Sequence, residues 1–160
     1  MQERKLGPFS VSAIGLGAMP LSMNNDNHLP DRDASIATVH AALDAGVTLI
    51  DTSDIYAPAW DQMGHNEVLI GEALRSWGGD ASSIVVATKG GITRSEGEVW
   101  GRDGSLRYLR AAVEKSLRKL RVDVIDLYQY HRPDRWIVYG EVMQSFQTLK
   151  DEGKIRAIGI

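Results

Sequence analysis

No cysteine occurs in the 160 residues. Disulfides and thiolate metal sites are therefore excluded, and the absence fits a reducing compartment, so a cytoplasmic location is expected. Neither charge sign dominates. Eighteen lysines and arginines stand interspersed with 21 carboxylates, for a formal net charge of −3. No basic stripe is offered to a phosphate backbone, and nucleic acid is not an expected partner. No run approaches the roughly 20 apolar residues of a membrane span, and the charged N-terminal segment MQERKLGPFS lacks a signal-peptide core. A soluble protein without a membrane partner is expected. His28, His40 and His65 are too scattered to hold a metal with nearby carboxylates, and solvated surface positions are expected for them. The length suits one well-buried domain and not two.

Short apolar runs alternate with helical patterns from SAIGLGAM (12–19) onward. The runs TLIDTS (48–53), IVVATK (84–89) and VIDLYQYH (124–131) recur about every forty residues, and a fifth, IRAIGI, closes the chain. Between them, apolar residues at i, i+3, i+4 spacing predict helices over 33–45, 67–77, 105–120 and 139–152. Asp33, Ser105 and Asn66 are placed to cap N-termini, and Gly46, Gly78 and Gly153 to end helices in the left-handed conformation. Strand and helix at this cadence imply parallel pairing through right-handed crossovers. The irregular stretches 22–32, 57–65 and 92–103 all follow strands, on the rim where α/β proteins bind ligands. Asp123 and Asp126, beside the fourth run, are expected to cap a turn or make a buried polar contact.

Two architectures accommodate five such units. Length favours a doubly wound open sheet, since a closed eight-stranded barrel usually needs about 250 residues. Chemistry favours the barrel. There the second, third and fourth strands are consecutive neighbours, and the polar residues at their ends converge: Asp51, Tyr56 just beyond it, Lys89 and His131. A doubly wound order would insert the first strand between Asp51 and Lys89, setting their backbones roughly 10 Å apart. An acid, a phenol, an amine and an imidazole on one rim make a proton-transfer site. A free phenol holds its proton too tightly to share it easily at neutral pH. An ammonium about 4 Å away, at an effective dielectric near 20, favours the phenolate by about 4 kcal/mol before desolvation. Lys89 would supply that charge, Asp51 would keep it charged, and His131 would orient and polarise a substrate oxygen. Gly15 and Gly17 lack the third glycine of a dinucleotide fingerprint, so a Rossmann reading is discarded.

These residues sit in segments that resemble the aldo-keto reductases: GLGAMPLS (15–22), AGVTLIDTSDIY (45–56), NEVLIGEAL (66–74), VVATKGG (85–91), VDVIDLYQYHRPD (122–134) and GKIRAIGI (153–160). The resemblance implies a parallel (β/α)8 TIM-barrel fold, of which this chain carries about the first five β/α units as an incomplete barrel over 1–160. It also implies that Asp51, Tyr56, Lys89 and His131 form the catalytic tetrad and that an aldehyde or ketone is reduced by hydride from NADPH, with NADH as the alternative. Tyr56 would then protonate the alkoxide. Gly17, Ala18 and Met19, with Asp51, would approach the nicotinamide end. Trp60 and Trp100, in rim loops, would line a substrate pocket with His131. In full members of the family, the residues gripping the rest of the cofactor follow the fifth strand, beyond Ile160. Two other expectations stand beside this one: a silent fragment or half-barrel that self-associates through unpaired sheet edges, and a Schiff-base lyase using Lys89 as nucleophile.

Overall fold

The computed structural model describes residues 1–23 and 28–160; residues 24–27, within the irregular stretch expected at 22–32, lie outside the described residues. The N-terminal segment, charged as it is, folds as an antiparallel hairpin of β1 (Glu3–Leu6) and β2 (Phe9–Ser12). Its two-residue turn opens on Gly7 at φ 54°, a conformation that suits the twist of paired strands and that side chains resist. The chain then enters β3 (Leu16–Gly17), α1 (Arg32–Asp44), β4 (Leu49–Asp51), α2 (His65–Ser76) and β5 (Val85–Gly90). A second hairpin follows, β6 (Ile92–Ser95) with β7 (Val99–Arg102), and then α3 (Leu106–Leu120), β8 (Ile125–Tyr130), α4 (Tyr139–Asp151) and β9 (Ile155–Gly159).

β3, β4, β5, β8 and β9 form one parallel sheet in that order. Successive units are neighbours throughout, which is the order of a barrel and not of a doubly wound sheet. The length argument for an open sheet is thereby overturned. Ile50, Val86 and Tyr128 face the helices and pack with Val39, Ile70, Leu109, Val113 and Phe146 in the main core. On the opposite, inward face, Leu49, Ala87, Leu127 and Ala157 meet Leu6 and Phe9 of the first hairpin. That hairpin is fastened to the start of β4: Ser12 N donates to Thr48 Oγ1 at 2.7 Å and Thr48 N to Ser12 Oγ at 2.9 Å.

Helix ends differ from expectation where capping chemistry was misassigned. Asp31, not Asp33, caps α1 by accepting from Ala34 N at 2.7 Å. α2 begins two residues earlier than expected, behind Gly64 at φ 85°, so Asn66 lies inside the helix and caps nothing. Gly46 and Gly153 are left-handed, whereas α2 ends on an extended Trp77 and Gly78 has no positive φ. Ser105 caps α3 through Tyr108 N. The stretch 92–103, expected to be irregular, is the second hairpin. Asp126, expected to make a buried contact, is only partly buried: it accepts from Val86 N and, on its exposed side, from Arg156, each at 3.0 Å. His40 and His65 are not solvated surface residues; each is partly buried, with a ring nitrogen 2.9 Å from Ala73 O and 2.8 Å from Ser22 Oγ respectively. Among the described residues, no helix is long and apolar enough to cross a membrane.

Candidate active site

The inward residues above the Leu49, Ala87 and Leu127 layer are Asp51 at the end of β4, Lys89 in β5 and His131 just after β8. The register sets Asp51 beside Ala87 and Lys89 beside Gln129. The sheet geometry alone therefore brings the three side chains to one rim. Lys89 Nζ donates to Asp51 Oδ2 at 2.7 Å, to Thr52 O at 2.8 Å and to Tyr56 Oη at 3.1 Å. All three N–H groups of the ammonium are used. Because the Tyr56 oxygen accepts from Lys89, its own proton is free to be given elsewhere. The Tyr56 ring meets the His131 ring edge to face with centroids 5.7 Å apart, and a wall of Ile55 and Ile92 with Met23 and Met63 surrounds the phenol. Gly90, which follows Lys89, is required by close packing: a Cβ there would lie 2.0 Å from Tyr128 Oη.

Three residues that sequence reasoning missed hold this cluster. Asn66 donates through Nδ2 to Ala18 O and Ser22 Oγ, each at 2.8 Å, and accepts from Thr52 Oγ1 at 2.6 Å. It thereby ties the loop after β3 to the loop after β4. Arg94 donates to Ala57 O at 2.7 Å and Ile55 O at 3.3 Å while pairing with Glu98 at 2.6 Å, so the second hairpin straps the segment bearing Tyr56. Ser53 Oγ lies 3.1 Å from His131 Nδ1. No motif spacing marks a lone amide, arginine or serine as a brace; a buried amide inside the first turn of a helix was the one readable signal.

Gly17 pairs with Asp51 across β3 and β4, and Ala18 N donates to Asp51 O at 2.8 Å. The Gly17–Met19 loop is thus seated beside the tetrad. Trp60 borders a cavity of about 610 Å³ between the 60–64 segment and α3, and Trp100 stacks on Arg94, 4.8 Å from ring centroid to guanidinium.

Burial, followed by the charges of Lys89 and Arg132, pushes the His131 imidazole down to about 4. It is neutral at physiological pH. Behind the site, burial pushes Glu67, bonded to Thr88 at 2.7 Å, up to about 7. The folded state holds this proton more tightly than the unfolded chain does. Its contribution to stability is therefore complete below about 4.5 and is lost as pH rises through about 7, a span worth roughly 3 kcal/mol. Glu67→Gln keeps an acceptor for Thr88 and cannot ionise. Its melting temperature should exceed that of the wild type near pH 8 and match it near pH 5; a wild-type advantage near pH 8 would contradict this account.

The sequence profile of the aldo/keto reductase family matches residues 13–160. Among solved structures, the chain is similar to the aldo-keto reductase AKR11C1 from Bacillus halodurans, at 36% identity and a TM-score of 0.84, covering 100% of this chain and 50% of that one. It is also similar to the glycerol dehydrogenase AKR11B4 from Gluconobacter oxydans, at 34% identity and a TM-score of 0.78, covering 94% of this chain and 45% of that one. This chain thus spans about half the length of these structures, and its five-stranded sheet corresponds to part of their (β/α)8 barrel. With the barrel strand order and a profile match over nearly its whole length, the chain belongs to the aldo/keto reductase family.

Proposed function

We propose that the domain formed by residues 1–160 serves NADPH-dependent reduction of aldehydes or ketones to alcohols, with Tyr56 as the proton donor. The observation that carries this reading is the Lys89 ammonium saturated by Asp51, Thr52 O and Tyr56 Oη. As the carbonyl carbon gains hydride, its oxygen becomes an alkoxide and takes the Tyr56 proton. The phenolate left behind sits 3.1 Å from a fixed ammonium and needs no solvent reorganisation to be stabilised. Asp51 and Thr52 O keep that ammonium in place, and neutral His131 orients the carbonyl oxygen from the other side of the phenol.

The nicotinamide cofactor supplies the hydride. The rim fits such a group: Met19 is half-exposed, and no atom lies within 4 Å of where a Cβ on Gly17 would stand, so a flat ring has room beside Asp51 and Lys89. Gly17 would meet its face and Met19 would cover it, whereas Ala18, expected beside them, is fully buried in the main core and offers no surface to the ring. A Schiff-base lyase is disfavoured by the same three hydrogen bonds, since an ammonium so held offers no lone pair for attack. Among the described residues β3 and β9 have one strand partner each, which supports self-association through those edges as a second reading.

One experiment addresses both readings. Fractions from size-exclusion chromatography are assayed for loss of NADPH absorbance with a panel of small aldehydes. Turnover is expected, in a species larger than one chain. No turnover in any fraction would sink the reductase reading, and a compact active monomer would sink self-association.

A further inference from the structure

Ser53 stands between His131 and a buried acid that the proposed chemistry does not use. Its Oγ lies 3.1 Å from His131 Nδ1, 3.2 Å from Asp54 Oδ1 and 3.4 Å from the Ile55 amide. A hydroxyl has one proton to give, so Ser53 donates to the imidazole or to the carboxyl, never to both. Neutral His131 carries a single ring proton, and the direction of the Ser53 hydroxyl decides which nitrogen bears it.

With Asp54 protonated, its O–H donates to Ser53, Ser53 donates to Nδ1, and the ring proton sits on Nε2, ready to be donated to a carbonyl oxygen. With Asp54 ionised, Ser53 turns to the carboxylate, Nδ1–H donates to Ser53, and Nε2 presents a lone pair that repels the carbonyl oxygen. Passing from the first state to the second, one proton leaves Asp54 for solvent, the hydroxyl rotates, and the ring proton exchanges through water from Nε2 to Nδ1. We propose that Asp54, acting through Ser53, is a positioning residue that sets the tautomer of His131 and so the site's capacity to hold a carbonyl oxygen. The catalytic part of this inference rests on the reductase reading above.

The surroundings favour the productive state. Asp54 is 6% exposed. Burial, then the neighbouring Glu67 carboxyl on α2, raise its affinity for the proton, while Lys89 on β5 opposes them. Tyr108 on α3 and Tyr128 on β8 are held neutral, chiefly by burial. On its outer side Asp54 borders the 610 Å³ cavity together with Glu67, Arg94, Tyr108, Lys115 and Lys119. That opening lets Asp54 exchange its proton with solvent away from the reacting carbonyl.

The test reads the tautomer directly, by nitrogen NMR of the histidine ring in the full chain, alongside the pH profile of kcat/KM. In the wild type, His131 should carry its proton on Nε2 while Asp54 is protonated and shift it to Nδ1 as rising pH ionises Asp54, with kcat/KM falling in step. Asp54→Asn offers Ser53 a permanent N–H donor, so the Nε2–H form should persist in alkali. Ser53→Ala should remove the preference between tautomers and lower kcat/KM about tenfold, the loss of one orienting hydrogen bond. A wild-type tautomer that does not change with pH, or one indifferent to both substitutions, would overturn the proposal. A tautomer that follows Asp54 in a protein that consumes no NADPH would support the relay and remove the reductase reading alone.

Discussion

Tyr56→Phe should lower kcat for carbonyl reduction about a thousandfold, within the range that positioned general acids contribute. The phenylalanine ring keeps its contacts with Ile55, Ile92, Met23 and Met63, so the fold has no reason to change. What disappears is the one proton aimed at the developing alkoxide and one acceptor for Lys89. KM should therefore move little while kcat collapses, the pattern of an interaction made only in the transition state. Steady-state kinetics with a single aldehyde suffices to check this, and a rate within a few fold of the wild type would strip Tyr56 of its assigned role.

An effect of similar size, about a thousandfold in kcat, is expected for Lys89→Met. Methionine fills the volume of the buried lysine stem but cannot stabilise the phenolate. The Lys89 side chain is 11% exposed and that of Asp51 39% exposed, so the carboxylate left without its partner can still be hydrated. Loss of catalysis should accordingly exceed any loss of stability, which thermal melting would show. Tyr56 and Lys89 act as one unit, and the double variant should be scarcely slower than either single one. Multiplicative losses in the double variant would mean that the two residues work independently. Borohydride treatment in the presence of an aldehyde should leave no adduct on Lys89; a trapped adduct would revive the Schiff-base chemistry.

The sheet and the clustering of polar residues at its rim were legible because a parallel strand advertises itself twice, through a continuous apolar run and through the polar residue where the run stops at the rim. Asp51, Lys89 and His131 each occupy such an end. Strand order was legible only through the chemistry, since length pointed to an open sheet. The hairpins were overlooked for different reasons. In the first, Leu6, Phe9 and Val11 alternate with charged and polar residues around Gly7-Pro8, a pattern masked by its overall charge. In the second, four-residue strands around Gly97 are too short to show a period. Asn66 resembles a cap in sequence, and only the earlier start of α2 turns it inward to join two loops. Arg94 and Ser53 are bracing residues whose partners lie across the fold, as with Ser53 and His131, 78 positions apart, and no local pattern signals such a pairing.

The first hairpin does more than extend the chain. Leu6 and Phe9 close the sheet's concave side beneath the layer of Ala87 and Leu127, at the end remote from Tyr56. That cover blocks the strands' N-terminal end of the hollow, so a molecule held at the phenol is approached from the opposite end of the sheet.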